Sequence, residues 1–293
     1  MSIARQRARI RVAAQVLAPL ANTHELLISH GNGPQVGMLA LQGLSHDPEV
    51  AWPLDILGAE TDGMIGYLIE QELAPLLAAH RRCATVLTRI EVDANDAAFA
   101  SPDKPIGPTY SRAEALALAG EHGWQVARDG DAWRRVVPSP RPQRIVNMSV
   151  IELLAKHGVV VVCAGGGGIP VARGEDGMLR GMDAVIDKDL ASALLAREFG
   201  AQALLILTDV DAVYDDWGSP AQHAIRRIGA AQLRERTFAA GSMAPKVQAA
   251  CEFVEAGGGI AAIGRLQDAA RLLSAEAGTL ISAAEQDTQW WSG

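Results

Sequence analysis

Ala184-Val-Ile-Asp-Lys-Asp-Leu-Ala-Ser-Ala-Leu-Leu-Ala196 joins an apolar run to a helix, and the charged triplet Asp187-Lys188-Asp189 stands at the join. Leu190, Leu194 and Leu195 repeat at helical spacing, and Asp189 falls where a carboxylate suits the unpaired N–H groups and the positive end of the helix dipole. Asp189 therefore reads as the helix cap. Lys188 is what a cap does not explain: a cation at a helix N-terminus is out of place unless an anion is nearby, and the common visitor is a phosphate.

Upstream lies Val159-Val-Val-Val-Cys-Ala164, continuous rather than alternating, as parallel strands covered on both faces tend to be, and Gly165 to Gly168 follow it directly. Downstream, Ala203-Leu-Leu-Ile-Leu-Thr208 is a second strong strand ending in Asp209 and Asp211. In open parallel sheets that C-terminal edge is where ligands bind. Asp209 to Asp216 resembles a calcium loop only at its start, since the sixth position is Tyr214 and the twelfth Pro220.

The same strand, turn and helix order opens the chain. A basic first helix from about Ala4 to Leu20 precedes the short strand Glu25 to His30, and Gly31-Asn-Gly-Pro-Gln-Val-Gly37 presents backbone N–H groups before a helix from about Gln35. Leu54 to Leu77 reads as helix and Thr85 to Val92 as one strand. Composition then shifts to Pro, Asp, Arg and Trp between Asp93 and Pro142, an excursion from the main sheet that carries Lys104 on a proline-stiffened segment. Near the end, Gly241-Ser-Met-Ala-Pro-Lys246 puts another lysine at a helix start, and Ile260 to Ile263 and Gly278 to Ile281 read as short strands. Trp290 and Trp291 fit no element.

With 293 residues, 49% of them hydrophobic, the chain can bury a large core, and a net charge of -8 without an isolated basic block argues against nucleic acid as a partner. Cys83, Cys163 and Cys251 match no metal or disulfide spacing, which fits a reducing cytoplasm. No apolar run approaches the ~20 residues that span a bilayer. Glycine turns after successive strands, lysines at two helix starts and acids at the sheet edge together suggest phosphoryl transfer by positioning and charge neutralisation. Neither a Walker sequence nor a protein-kinase His-Arg-Asp is present.

His30-Gly-Asn-Gly-Pro-Gln-Val-Gly37, Lys104-Pro-Ile-Gly-Pro108, Trp133-Arg-Arg-Val-Val-Pro-Ser-Pro140, Cys163-Ala-Gly-Gly-Gly-Gly-Ile-Pro170, Ile186-Asp-Lys-Asp-Leu190, Leu207-Thr-Asp-Val-Asp-Ala-Val-Tyr214 and Gly241-Ser-Met-Ala-Pro-Lys246 resemble, in order, the motifs of the carbamate kinases in the amino-acid kinase superfamily. The resemblance implies an α/β fold: one domain over 1–293, an open αβα sandwich around a mainly parallel central sheet, with a small protruding lid lobe at about 93–142. It also implies a cytoplasmic homodimer running ATP + carbamate = ADP + carbamoyl phosphate, with Mg²⁺ carried by the nucleotide and no dedicated metal site. The direction implied is ATP formation during arginine breakdown.

By motif, Lys188 and Lys246 would neutralise the phosphates, Asp189 would hold both, and Lys104 would reach in from the lid. Gly31, Asn32, Gly33, Gly165 and Gly166 would bind substrate and phosphoryl oxygens, and Thr208, Asp209, Asp211, Tyr214 and Met243 would line the nucleotide side. The family also begins with a strand and a Gly-Gly-Asn loop ahead of the first helix, and Ala244 stands where it usually has Gly. The expectation is a start recorded downstream of the real one. The alternative is a shortened homologue that binds nucleotide or carbamoyl phosphate without catalysis.

Overall fold

A computed structural model describes residues 3–46, 52–238 and 243–292. The chain runs α1 (Ile3–Thr23), β1 (Leu27–Ile28), α2 (Gly33–His46), α3 (Leu54–Leu73), β2 (Arg82–Val86) and β3 (Arg89–Val92). It continues through β4 (Lys104–Tyr110), α4 (Arg112–His122), β5 (Gln125–Asp129), β6 (Ala132–Val137), β7 (Pro142–Ile145) and α5 (Met148–Lys156). Then follow β8 (Val159–Cys163), β9 (Ile169–Arg173), β10 (Leu179–Gly181), α6 (Lys188–Phe199), β11 (Ala203–Thr208), β12 (Val213–Asp215) and β13 (His223–Gly229). Last come α7 (Ala230–Arg234), α8 (Met243–Glu255), β14 (Ile260–Arg265), α9 (Ala269–Leu273), β15 (Thr279–Ser282) and β16 (Gln289–Trp290).

β8 shows why an unbroken valine run was needed. Val160 and Val162 pack with Ala14 and Ala18 of α1 and Leu73 of α3, whereas Val161 and Cys163 pack with Ile151 of α5 and Leu194 of α6. Successive side chains point to opposite faces of a strand, so a strand with helices on both sides has no polar face. β8 pairs in parallel with β1 on one side and β2 on the other. β11 pairs in parallel with β14, and β14 continues through β15 and β13 to β12. Among the described residues β1 and β11 are both edge strands, each with a partner on one side only.

One sequence expectation needs correction. The strand expected over 85–92 is two strands in different sheets: β2 joins β8, and β3 joins β9 in parallel and β7 antiparallel. The break falls at Thr88, whose hydroxyl accepts from Ala164 N at 2.9 Å and whose carbonyl accepts from Ile169 N, an anchoring that depends on a turn far away in sequence. In α1, Ile3 and Val12 are exposed, and the stripe that packs includes Ala14, Ala18 and Ala21. Two arginines of that helix bond to α3, Arg11 to Glu72 at 2.8 Å and Arg7 to Gln71. Antiparallel ladders lie beside the parallel ones, within the expected α/β fold.

The excursion is a small lobe. β4, β6 and β5 form their own antiparallel sheet, and α4 is fixed in front of it by a capping box of Ser111 and Glu114. Ile106 and Val137 anchor the lobe against Val36 of α2 and Leu54 and Leu57 of α3. At the contact a Cβ on Gly37 would come 2.0 Å from the Gly107 Cα, so α2 and β4 meet backbone to backbone. This docking carries Lys104, the first residue of β4, back to the main sheet.

Candidate active site

Ala184 and Ile186 are buried, and their anchoring delivers Asp187, Lys188 and Asp189 to the mouth of α6. The cap is Asp187, not Asp189: its carboxylate accepts from the N–H groups of Asp189 at 2.8 Å and Leu190 at 3.1 Å. Asp189 is occupied elsewhere, with Lys188 Nζ at 2.6 Å on one oxygen and Lys246 Nζ at 2.9 Å on the other. α8 begins at Met243, so Lys246 sits inside its first turn rather than ahead of the helix; Gly241 and Ser242 lie outside the described residues. Lys104 Nζ reaches Asp187 Oδ2 at 2.5 Å. Burial pushes the Asp187 carboxyl up, but the Lys104 ammonium and the two capping N–H groups outweigh it and hold it below its ordinary value. Three ammonium groups against two carboxylates leave this cluster with one net positive charge.

With Asp187 on the helix N–H groups, backbone donors for an incoming anion come from the glycine turns opposite. Asn32 O accepts from Gln35 N and Val36 N, so α2 starts at Gly33 and leaves Gly31 as an open turn. Asn32 Nδ2 donates to Thr61 Oγ1 of α3 at 2.8 Å. The second turn is tied to the first because Gly166 N donates to His30 O at 2.7 Å. Gly166 has φ +67°, and a Cβ there would lie 2.0 Å from Asn32 Nδ2, so only glycine fits. Ala164, at the end of β8, is itself held at φ +51° by its hydrogen bond to Thr88, and such strained backbone concentrates at functional sites. A Cβ on Gly31 would come 3.4 Å from the Lys188 side chain, so turn and lysine face each other.

A cavity of about 1480 Å³ opens between these groups. Gly31, Asn32, Gly33, Gly166, Lys104, Lys188, Asp189 and Lys246 line it, and so do Thr208, Tyr214 and Met243. Gly165 is buried behind Gly166, and Asp209 is exposed and outside the lining. Asp211 stands one step back, accepting from Tyr214 Oη at 3.0 Å. Burial and then Asp211 push the Tyr214 phenol up, so it stays a hydrogen-bond donor. The sequence reading missed Asp187, Thr61 and Trp217, whose ring meets Tyr214 edge-on at 4.9 Å and also lines the cavity. Thr61 left a signal, since it interrupts the apolar spacing Leu57, Ile65, Leu68 on α3. The tail finds a place too: Trp290 Nε1 donates to Asp215 Oδ2 at 3.2 Å, beside Arg236 on the same carboxylate, and Arg226 stacks on Trp291.

Such a site can hold a polyanion between cations and backbone N–H groups. It suits a reaction in which charge spreads over phosphoryl oxygens and little else changes.

The profile of the amino acid kinase family matches residues 2–263. A carbamate kinase of Rhizobium meliloti (strain 1021) is 52% identical over 287 residues, covering 97% of this chain and 89% of the relative. That of Haemophilus influenzae is 49% identical over 282 residues, covering 96% and 91%. Among solved structures, carbamate kinase from Giardia lamblia bound to AMP-PNP superposes with a TM-score of 0.85 at 37% identity, covering 96% of this chain and 92% of that one. A structure from Aeropyrum pernix K1 reaches 0.88 at 41%, covering 96% and 93%. The site geometry and these likenesses together place the chain in the amino acid kinase family, among the carbamate kinases.

Proposed function

We propose that this protein catalyses reversible phosphoryl transfer between ATP and carbamate, releasing ADP and carbamoyl phosphate, and that it serves ATP formation from carbamoyl phosphate. The observation that carries the reading is the single buried carboxylate of Asp189 holding Lys188 and Lys246 at 2.6 and 2.9 Å across from the Gly31–Gly33 turn. In this reading Lys188 and Lys246 neutralise the phosphoryl group as it moves, and Asp189 keeps both ammonium groups aimed. Lys104 brings a third cation from the lid lobe, while the N–H groups of the glycine turns bind the substrate side. Thr208, Tyr214, Met243 and, through Tyr214, Asp211 form the nucleotide side.

In this reading Mg²⁺ enters on the phosphates of the nucleotide rather than at a dedicated protein site. Bound there, it supplies further charge neutralisation. The single domain works as a homodimer in the cytoplasm. Exposed Val150 and Leu153 on α5 and Tyr67 on α3 are apolar surface of the sort a second copy covers, and no described helix is long and apolar enough to cross a membrane. The relatives named above are carbamate kinases, which favours catalysis over the binding-only alternative.

A coupled assay of ATP formation from ADP and carbamoyl phosphate tests the reading. Turnover that depends on both substrates is expected. A folded protein that binds ADP and gives none would overturn it.

A further inference from the structure

Asp62 of α3 is fully buried, and neither of its carboxylate oxygens has a hydrogen-bond partner among the described residues. A buried unpaired carboxylate is costly, and native proteins keep one only where something requires it. The group facing it is His30, whose Nε2 lies 3.5 Å from Asp62 Oδ1 and likewise has no partner within hydrogen-bond range. The other ring nitrogen, Nδ1, is 3.4 Å from Gly31 O. His30 thus spans the distance between a helix carboxylate and the first glycine of the substrate turn.

The second turn leans on the same pair. A Cβ on Gly165 would sit 2.0 Å from Asp62 Oδ1 and 2.4 Å from His30 Nε2, and Gly166 N donates to the His30 carbonyl. Next to Asp62 in sequence, Thr61 grips Asn32. Two adjacent polar residues on the buried side of α3 therefore hold both glycine turns from behind. Asp62 also acts electrically at the root of the second turn: burial, and after it the Asp62 charge, push the Cys163 thiol up.

The geometry points to Asp62 and His30 as a positioning pair that locks the Gly31–Gly33 and Gly165–Gly166 turns into one rigid cradle for the carbamoyl phosphate side. The inference rests on the function proposed above. Neither residue is a catalytic residue in this account; the pair acts through the backbone N–H groups it fixes. Separations near 3.5 Å are at the limit of a hydrogen bond, and such contacts tighten when the anion arrives between the turns.

The test uses the whole protein with Asp62→Asn and His30→Gln, singly and together. Asp62→Asn exchanges a carboxyl for an amide with almost no change of shape, so the variant is expected to fold and melt near the wild type. ATP formation should lose ten- to a hundredfold in kcat, with KM for ADP unchanged. The double variant should be no worse than the poorer single one, because residues acting as a unit are not additive. Hydrogen exchange of the amides in both turns should speed up about tenfold in Asp62→Asn.

A kcat within twofold of wild type, losses that multiply in the double variant, or unchanged exchange in either turn would each overturn the inference. If the wild type itself gives no ATP, the kinase reading falls while the exchange measurement still judges the pair. His30→Gln supplies the second variant should Asp62→Asn fail to fold.

Discussion

In the function proposed above, the groups that handle the phosphoryl group, the transfer end, and those that take the nucleotide, the nucleotide end, are built differently. At the transfer end the carboxylates at the mouth of α6 are held, Asp189 by two lysines and Asp187 by Lys104 and two N–H groups, and the glycine turns are packed so closely that a methyl group would collide with Asn32 or Asp62. At the nucleotide end the groups are looser. Trp217 is 63% exposed, and Asp211 meets Arg265 only at 3.9 Å with both side chains about half exposed. Charge redistribution rewards a site fixed in advance, because donors that must reorganise at the moment of reaction lose most of their effect. A nucleotide that enters and leaves on every turnover gains nothing from such rigidity.

The comparison breaks first, and hardest, at the lysines. Lys188→Ala or Lys246→Ala is expected to cut kcat by a hundred- to a thousandfold, about 3–4 kcal/mol of barrier, with little change in KM for ADP. Steady-state kinetics in the ATP-forming direction measures it. A loss confined to KM would mean that the lysines merely bind, and the transfer end would then be no different in kind from the other. Gly166→Ala comes next. Its new methyl group meets Asn32 Nδ2 at 2.0 Å in a backbone conformation that already disfavours a side chain. Overpacking plus the left-handed penalty amount to about 2–3 kcal/mol of stability, read as a fall in urea midpoint with unchanged slope.

Much of this contrast could be read from the residues, and the exceptions share one cause. The valine run of β8 and the glycines behind it announce a buried strand and a turn, because burial on both faces leaves no freedom of pattern. The lysines at two helix starts were visible because they contradict the helix dipole. The cap, by contrast, was misplaced from Asp187 to Asp189. Both aspartates flank Lys188 at spacings that can cap a helix, and the choice between them is made by Lys246, which lies 57 residues away and claims Asp189. Thr88 and Asp62 are of the same kind. Their roles depend on Ala164, Gly165 and His30, which only the folded chain brings to them.

A smaller effect, which sharpens the account of the transfer end, concerns Lys104. Its ammonium is part of what holds the Asp187 carboxyl below its ordinary value, against the upward push of burial. A carboxylate with a depressed folded value stabilises the protein above its unfolded value, near 4, and that contribution is lost as pH falls through the folded one. Lys104→Met removes one partner of a pair whose lysine is about one third exposed, so the cost at neutral pH is about 1 kcal/mol after screening. Urea titrations should show the gap between wild type and variant at pH 7 and its closure as pH falls well below the ordinary carboxylate range. A gap that persists in acid would mean that Lys104 stabilises by packing its stem on the lobe rather than through Asp187.

The smallest effect belongs to the nucleotide end, and it is where the comparison is most exposed to failure. Trp290 is half exposed, and its indole N–H reaches the Asp215 carboxylate that Arg236 also holds, one residue after Tyr214. Because Arg236 remains on Asp215 when the indole is removed, Trp290→Ala should cost under about 1 kcal/mol of stability and raise KM for ADP less than threefold. kcat should not change, since no group at the transfer end touches this network. A tenfold loss of kcat would show that the tail helps set the phosphoryl group in line through β12, and the nucleotide end would then count as part of the rigid site. A rise in KM alone keeps the division between an end that binds and an end that reacts.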